Sequence, residues 1–186
     1  LWSRGLGDVY KRQEYIRLQH VFRAEATGNA SALIRHIRMI KTPWEIEQMR
    51  ISARKHEAVY REIPACYRPG MRDIELQIEI EKRMRVHGSL GYFRAFGSNM
   101  DIFMGSLLAG ENAGEPSPFD FALGGTGMHA SGPLGANGTL LREGTTVMAD
   151  MSGNYTAYQT DMTRVFSIGK LPVSYTHLTL PTICSV

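Results

Sequence analysis

Asp150 and Asp161 lie eleven positions apart in VMADMSGNYTAYQTDMTRVFSIG, residues 147–169, a stretch that otherwise reads as β-strand. Aspartate is depleted in strands, so two of them here ask for a chemical reason. Ser152, Gly153 and Asn154 between them form a turn signal, which predicts two antiparallel arms carrying one carboxylate each. Directly opposed residues on such arms hold their Cβ atoms about 4.5–5.5 Å apart. Paired ions in hydrolytic centres stand about 3.5–4 Å apart. Two facing carboxylates can therefore reach one pair of ions, one chelating and the other bridging, and such oxygen donors suit Mn²⁺, Zn²⁺ or a similar divalent ion. The spacing is awkward for a minimal hairpin, so a longer turn or a bulge near 153–158 is expected to bring the two opposite. On spacing alone a second reading stays open, in which one aspartate starts the turn and the other is a plain surface residue.

The elements that would position this pair are legible upstream. TPWE starts a helix: Thr42 can cap it, Pro43 suits its first position and Glu45 completes a capping box. Ile46, Met49, Ala53 and Tyr60 keep roughly helical spacing and predict its apolar face, and Arg68-Pro69-Gly70 stops it. A second helix is expected from Asp73, with Leu76, Ile80 and Met84 on one face and Gly88 at its end. Beyond Gly88 the glycine, serine, asparagine and proline content rises and apolar runs shorten to strand length, at 102–108, 119–123, 146–151 and 162–168. Helices followed by a run of strands predict an α+β domain.

Composition narrows the partners. The 186 residues, 43% hydrophobic and 21% charged, suit one globular domain. No apolar run is long enough to span a membrane and no signal-peptide pattern stands at the N-terminus, so no membrane partner is expected. Two cysteines, Cys66 and Cys184, make neither a disulfide framework nor a zinc site, which points to a reducing, cytoplasmic setting. The net charge is +3, of which residues 1–13 carry +2 through Arg4, Lys11 and Arg12 against Asp8. With the body near neutral and no basic stripe interleaved with aromatics, no nucleic-acid partner is expected.

The segment MADMSGNYTAYQTDMTRVFSIG resembles the first metal-binding hairpin of the M24 metallopeptidases, the pita-bread family of methionine aminopeptidases, prolidases and Xaa-Pro aminopeptidases. The matching features are Asp150 at the end of an apolar strand, Gly153 in the turn, the aromatic Tyr158, and then Asp161-Met162-Thr163-Arg164. IRMIKTPWEIEQMR resembles the first helix of the prolidase and aminopeptidase P branch, and LLREGTTVMADMSG its approach to the first ligand, so that the resemblance spans residues 34–171. It implies an incomplete pita-bread (creatinase/aminopeptidase-like) domain, the N-terminal half only, over 41–172. Residues 14–40 then form the end of an N-terminal domain and a linker. By the same resemblance Asp150 chelates one metal ion and Asp161 bridges two, the ions being Mn, Co or Zn. Thr163 and Arg164 belong to the motif without a catalytic role.

The resemblance also implies an exopeptidase that hydrolyses Xaa-Pro bonds, with a peptide substrate carrying proline at its second position and a homodimeric parent. His129, in GGTGMHASG, is the candidate substrate-binding residue, since prolidase-like enzymes carry such a histidine in this loop region. Counted back from Gly144, the expected position falls nearer Pro133, and the alternative is an exposed loop histidine. His20, His36, His56 and His87 stand in helical or linker contexts and are expected on the surface. The family completes its site with one His and two Glu from a second, pseudo-symmetric half. No counterpart follows Leu171: His177 lacks the glycine-rich context of the family's ligand.

The two ends, LWSRGLGDVYKRQ at 1–13 and VSYTHLTLPTICSV at 173–186, resemble translated sequencing adaptors and are expected to pack poorly. The alternative is native sequence, with Tyr175, His177 and Thr179 on one strand face. The expectation is therefore a fragment of a peptidase, inactive by itself, with no catalytic residue of its own. Two rivals are a creatinase-like metal-free hydrolase, against which the paired aspartates speak, and a non-catalytic peptide- or protein-binding pita-bread module.

Overall fold

The computed structural model describes residues 2–22, 30–94, 101–102, 104–116 and 124–171. Four helices, α1 (Trp2–Phe22), α2 (Ser31–Met39), α3 (Pro43–Cys66) and α4 (Asp73–Val86), precede the strands. A short pair, β1 (Phe93–Arg94) and β2 (Asp101–Ile102), is followed by a three-stranded antiparallel sheet of β3 (Gly105–Ala109), β4 (Thr145–Asn154) and β5 (Gln159–Ile168), with β4 central. The expected α+β arrangement is what forms. The run foreseen at 102–108 divides between β2 and β3, the two later strands are longer than expected, and the run at 119–123 lies outside the described residues. Residues 2–13 form the first part of α1, which runs on to Phe22. Residues 173–186 lie outside the described residues.

α3 starts as its sequence dictates. Glu45 N–H donates to Thr42 Oγ1 at 3.3 Å and Thr42 N–H donates to Glu45 Oε2 at 2.7 Å, so two amides that the first turn leaves without helical partners are satisfied reciprocally. α4 buries Leu76, Ile80 and Met84 along one face, as expected. It ends at Gly88, whose φ of +95° lets Ser89 N–H reach back to the Met84 carbonyl at 2.9 Å.

The core lies between these two helices and one face of the sheet. Val147, Ala149 and Met151 of β4 point into it and meet Val59, Ile63, Ile80, Met84 and Leu107. Each large apolar side chain fully buried there contributes roughly 1.5–3 kcal/mol. The alternate residues of β4, Met148 and Asp150, face the other side of the sheet. Gly105, opposite Met151, comes so close to β4 that a Cβ would stand 2.2 Å from the Asp150 carbonyl oxygen. Only glycine permits that approach.

Two expectations about α3 are corrected. Its buried face is Ser52, His56, Val59, Tyr60, Ile63 and Cys66, whereas Ile46, Met49 and Ala53 are exposed. His56 is no surface residue: it is 0% exposed, with Nδ1 2.9 Å from Thr160 Oγ1 and its ring edge-on to Tyr60. The reason is that this helix packs on a hairpin that offers hydroxyls and backbone groups to bond, so a polar stripe is turned inward. His87 is half-buried and pairs with Glu62 at 2.8 Å, while His20 and His36 are exposed as expected.

Burial pushes the His56 imidazole down to about 4 from its ordinary 6.5. The folded value lies below the unfolded one, so between them the unfolded chain binds the extra proton. Stability is then full above about pH 6.5 and falls as the pH drops towards 4, by up to about 3 kcal/mol for this residue. Urea denaturation at a series of pH values checks this, with a flatter profile expected for His56→Gln. Gly153→Ala is expected to cost about 1–3 kcal/mol by overpacking. Its Cβ would stand 2.5 Å from Thr160 Oγ1, 2.7 Å from the Tyr155 ring and 3.0 Å from His56 Nδ1. The same denaturation experiment at pH 7 measures that cost.

Candidate metal centre

β4 and β5 pair without interruption from Thr145↔Ile168 to Asn154↔Gln159, closed by a four-residue turn at 155–158 in which Ala157 takes φ 65°. The turn is longer than minimal, as expected, but there is no bulge, and Ser152, Gly153 and Asn154, read from the sequence as the turn, are instead the last paired residues of β4. The register therefore sets Asp150 opposite Thr163, and Asp161 opposite Ser152. The two aspartates are diagonal neighbours on one sheet face rather than the directly facing pair that spacing suggested. The cause is where the turn sits: it is centred between residues 156 and 157, one residue beyond the midpoint of the two aspartates, which puts them two positions out of line. Diagonal neighbours stand about 7–8 Å apart at their backbones and less at Cβ, which keeps both carboxylates within reach of a shared ion pair.

Thr163 Oγ1 donates a short hydrogen bond to Asp150 Oδ1 across the strands. This ties the Asp150 side chain to a preferred direction and gives the motif threonine a physical task. Partial burial, and then the neighbouring Asp150 carboxylate, push the Asp161 carboxyl above its ordinary value. A like-charged pair with hard oxygen donors on one face is a donor set that a divalent cation would satisfy. Among the described residues no group of three His, Cys, Asp or Glu converges, so the fit extends to two ligands. Arg164 alternates to the opposite face, where its guanidinium donates to the Thr163 carbonyl at 2.7 Å. There it borders a cavity of about 550 Å³ lined also by Arg50, Arg54, Glu57 and Arg61.

On the aspartate face β3 continues the surface with Ser106, opposite Asp150, and Leu108, opposite Met148. A glycine-rich loop lies along it: a Cβ on Gly135 would be 3.2 Å from Ser106 Oγ, and one on Gly125 2.7 Å from a Leu108 methyl. Two buried side chains hold the loop. Asn112 donates to the Gly135 carbonyl at 3.0 Å and accepts Thr126 N–H at 2.9 Å. Asp73 accepts the Asn137 and Gly138 amides at 3.1 and 2.9 Å. His129 sits at an exposed turn of this loop, with Nδ1 2.8 Å from Ser131 Oγ and accepting Ser131 N–H at 3.1 Å. Those hydrogen bonds stay within its own turn and do not link it to Asp150 or Asp161.

Sequence reasoning missed what lies beneath the pair. Tyr60, buried on the core face, accepts Met151 N–H at 3.1 Å and reaches the Ala149 carbonyl at 3.1 Å and, by a shorter contact, that of Met162. It belongs to a row on α3 that meets the hairpin residue by residue. Tyr158 donates to Glu45 at 3.1 Å, Thr156 to the Gln48 carbonyl at 3.0 Å, and Tyr155 N–H to Ser52 at 3.4 Å, before His56 and Tyr60. The available signal was Ser52, His56 and Tyr60 at four-residue intervals, which places three polar heads on one helix face.

The probable dipeptidase PepE of Mycobacterium bovis is 25% identical over 143 residues, covering 76% of this chain and 31% of the relative. The X-Pro aminopeptidase of Thermotoga maritima MSB8 superposes with a TM-score of 0.66 at 21% identity, over 88% of this chain and 40% of that one. The Xaa-Pro dipeptidase of Bacillus anthracis does so with a TM-score of 0.56 at 22% identity, over 80% and 35%. The chain thus spans about a third of the length of the curated relatives it matches and shares part of the pita-bread fold. The family model of metallopeptidase family M24 matches residues 47–179, from α3 through both aspartates, and the chain belongs to that family.

Proposed function

We propose that this chain supplies Asp150 and Asp161 as two ligands of a metal-dependent exopeptidase acting on Xaa-Pro bonds, with the remaining ligands contributed by further chain. The observation that carries the reading is the diagonal placement of the two carboxylates on one sheet face, inside the segment that matches the M24 family. Bound Mn²⁺, Co²⁺ or Zn²⁺ would supply Lewis acidity at a scissile carbonyl. The protein's own part is positional. Thr163 orients Asp150, the β4–β5 register sets the separation of the ligands, and the loop anchored by Asn112 and Asp73 walls the face on which a peptide would lie. His129 stands on that loop as the residue we assign to peptide contact.

Two carboxylates leave most coordination positions to water, so the 186-residue chain is expected to bind Mn²⁺ weakly and to show no turnover. A chain completed with the missing His and two Glu is expected to cleave an Xaa-Pro dipeptide or a longer Xaa-Pro peptide in a chelator-sensitive manner. Metal-dependent turnover by the short chain would overturn the two-ligand reading. A completed chain inert with every metal would favour a peptide-binding module.

Asp161→Asn is expected to abolish Mn²⁺ binding in calorimetry and to raise the melting temperature of the metal-free chain slightly at pH 7. The sign follows from the raised Asp161 carboxyl: folding disfavours its charged form, so a neutral isostere relieves the folded state. A melting temperature that falls instead would show that folding does not disfavour the charged Asp161 carboxylate.

A further inference from the structure

Tyr60 is the residue through which α3 grips the strands beneath the two aspartates. Its hydroxyl accepts the Met151 amide and has two carbonyls to donate to, Ala149 on β4 and Met162 on β5. Ala149 and Met151 flank Asp150, and Met162 lies between Asp161 and Thr163. One buried hydroxyl thus bridges both ligand-bearing strands at the point where the ligands leave the opposite face. Burial holds the phenol well above its ordinary range, so it remains a donor at any working pH. Its ring is fixed by His56, edge-on at 5.1 Å between centroids, and by Phe166 at 6.5 Å.

We propose that Tyr60 is a positioning residue for the metal centre, its hydroxyl setting the backbone geometry from which Asp150 and Asp161 project. The role rests on the reading of those aspartates as metal ligands. It acts from the far side of the sheet, without touching metal or substrate. A methyl-sized error in strand separation here moves both carboxylates, because both strands share the same hydroxyl. Groups that orient metal ligands from outside the coordination sphere typically change affinity about 10–100-fold when removed.

The test uses the chain with Tyr60→Phe, which keeps the ring and removes the hydroxyl, and a chain with para-aminophenylalanine at position 60, which restores the donor to the Ala149 and Met162 carbonyls and a weaker acceptor. In the metal-free protein, Tyr60→Phe is expected to reorient the Asp150 and Asp161 amides, read by residual dipolar couplings. It should also speed exchange of the Met151 amide on the order of tenfold, as loss of one buried hydrogen bond implies. Leu107 and Val147 should change little, and the couplings of the para-amino chain should return to wild-type values, with Met151 exchange slowed part of the way back. Mn²⁺ affinity should follow the same order, falling about tenfold or more in Tyr60→Phe and recovering in the para-amino chain.

Unchanged couplings at Asp150 and Asp161, or acceleration spread evenly over β3, β4 and β5, would overturn the proposal. Were Tyr60→Phe to unfold, a folded para-amino chain with wild-type couplings would still support it, and an unfolded one would overturn it. A wild-type chain that binds no Mn²⁺ would sink the metal reading alone, since the metal-free measurements decide what Tyr60 does.

Discussion

The structure depends on the contact between one helix and one hairpin. α3 lies along the β4–β5 hairpin and offers it a side chain or carbonyl at nearly every turn, from Glu45 through Gln48, Ser52 and His56 to Tyr60. A hairpin alone is marginal in water, and its register is weakly held without a buried face. Here the apolar face of β4 supplies the burial, and the helix's polar row specifies which residue sits against which. A slip of one residue would exchange the Val147, Ala149 and Met151 face for that of Met148 and Asp150, burying a carboxylate and exposing the core.

That arrangement divides the sheet into two chemical environments about one strand's thickness apart. On the helix side lie apolar side chains and a neutral histidine, with Arg164 and the arginines of α3 at the edge. On the other side a like-charged pair is kept close by a backbone that gains nothing electrostatically from the proximity. The cost of holding Asp150 near Asp161 falls on the fold, and the packing of β4 against α3 and α4 offsets it. The glycine residues serve the same division: Gly105 lets β3 close on the Asp150 backbone, and Gly153 leaves space for His56 and Tyr155 beneath the turn.

The glycine-rich loop is held in the same manner, by buried polar groups rather than by apolar packing. Asn112 and Asp73, both buried, spend their hydrogen bonds on the loop backbone from two sides. The fully buried Asp73 carboxylate accepts three amides, including that of Ile74 at 2.7 Å, which satisfies the condition for keeping such a group away from water. The wall beside the aspartates is thereby tied to the start of α4, so that helix, loop and sheet face form one connected body.

Much of the local chemistry was legible in the sequence. The Thr42–Glu45 capping box, the Leu76–Ile80–Met84 face and the Gly88 stop depend on neighbours within a few residues, and each forms where the residues place it, whereas the turn read at Ser152–Asn154 forms three residues later. The family was legible too, because the aspartates and the Asp-x-Thr-Arg segment lie within one hairpin. What tertiary structure decided is how those pieces register against one another. Whether Asp150 and Asp161 face directly or diagonally depends on where the turn is centred, which the hydrophobic pattern leaves open by a residue. Whether His56 is outside or inside depends on what α3 packs against. Amphipathic periodicity assumes an apolar partner, and the hairpin instead presents hydroxyls and backbone groups that a buried Ser52, His56 and Tyr60 can bond. Long-range hydrogen bonds of that kind leave no periodic mark, since each partner lies some hundred residues away along the chain.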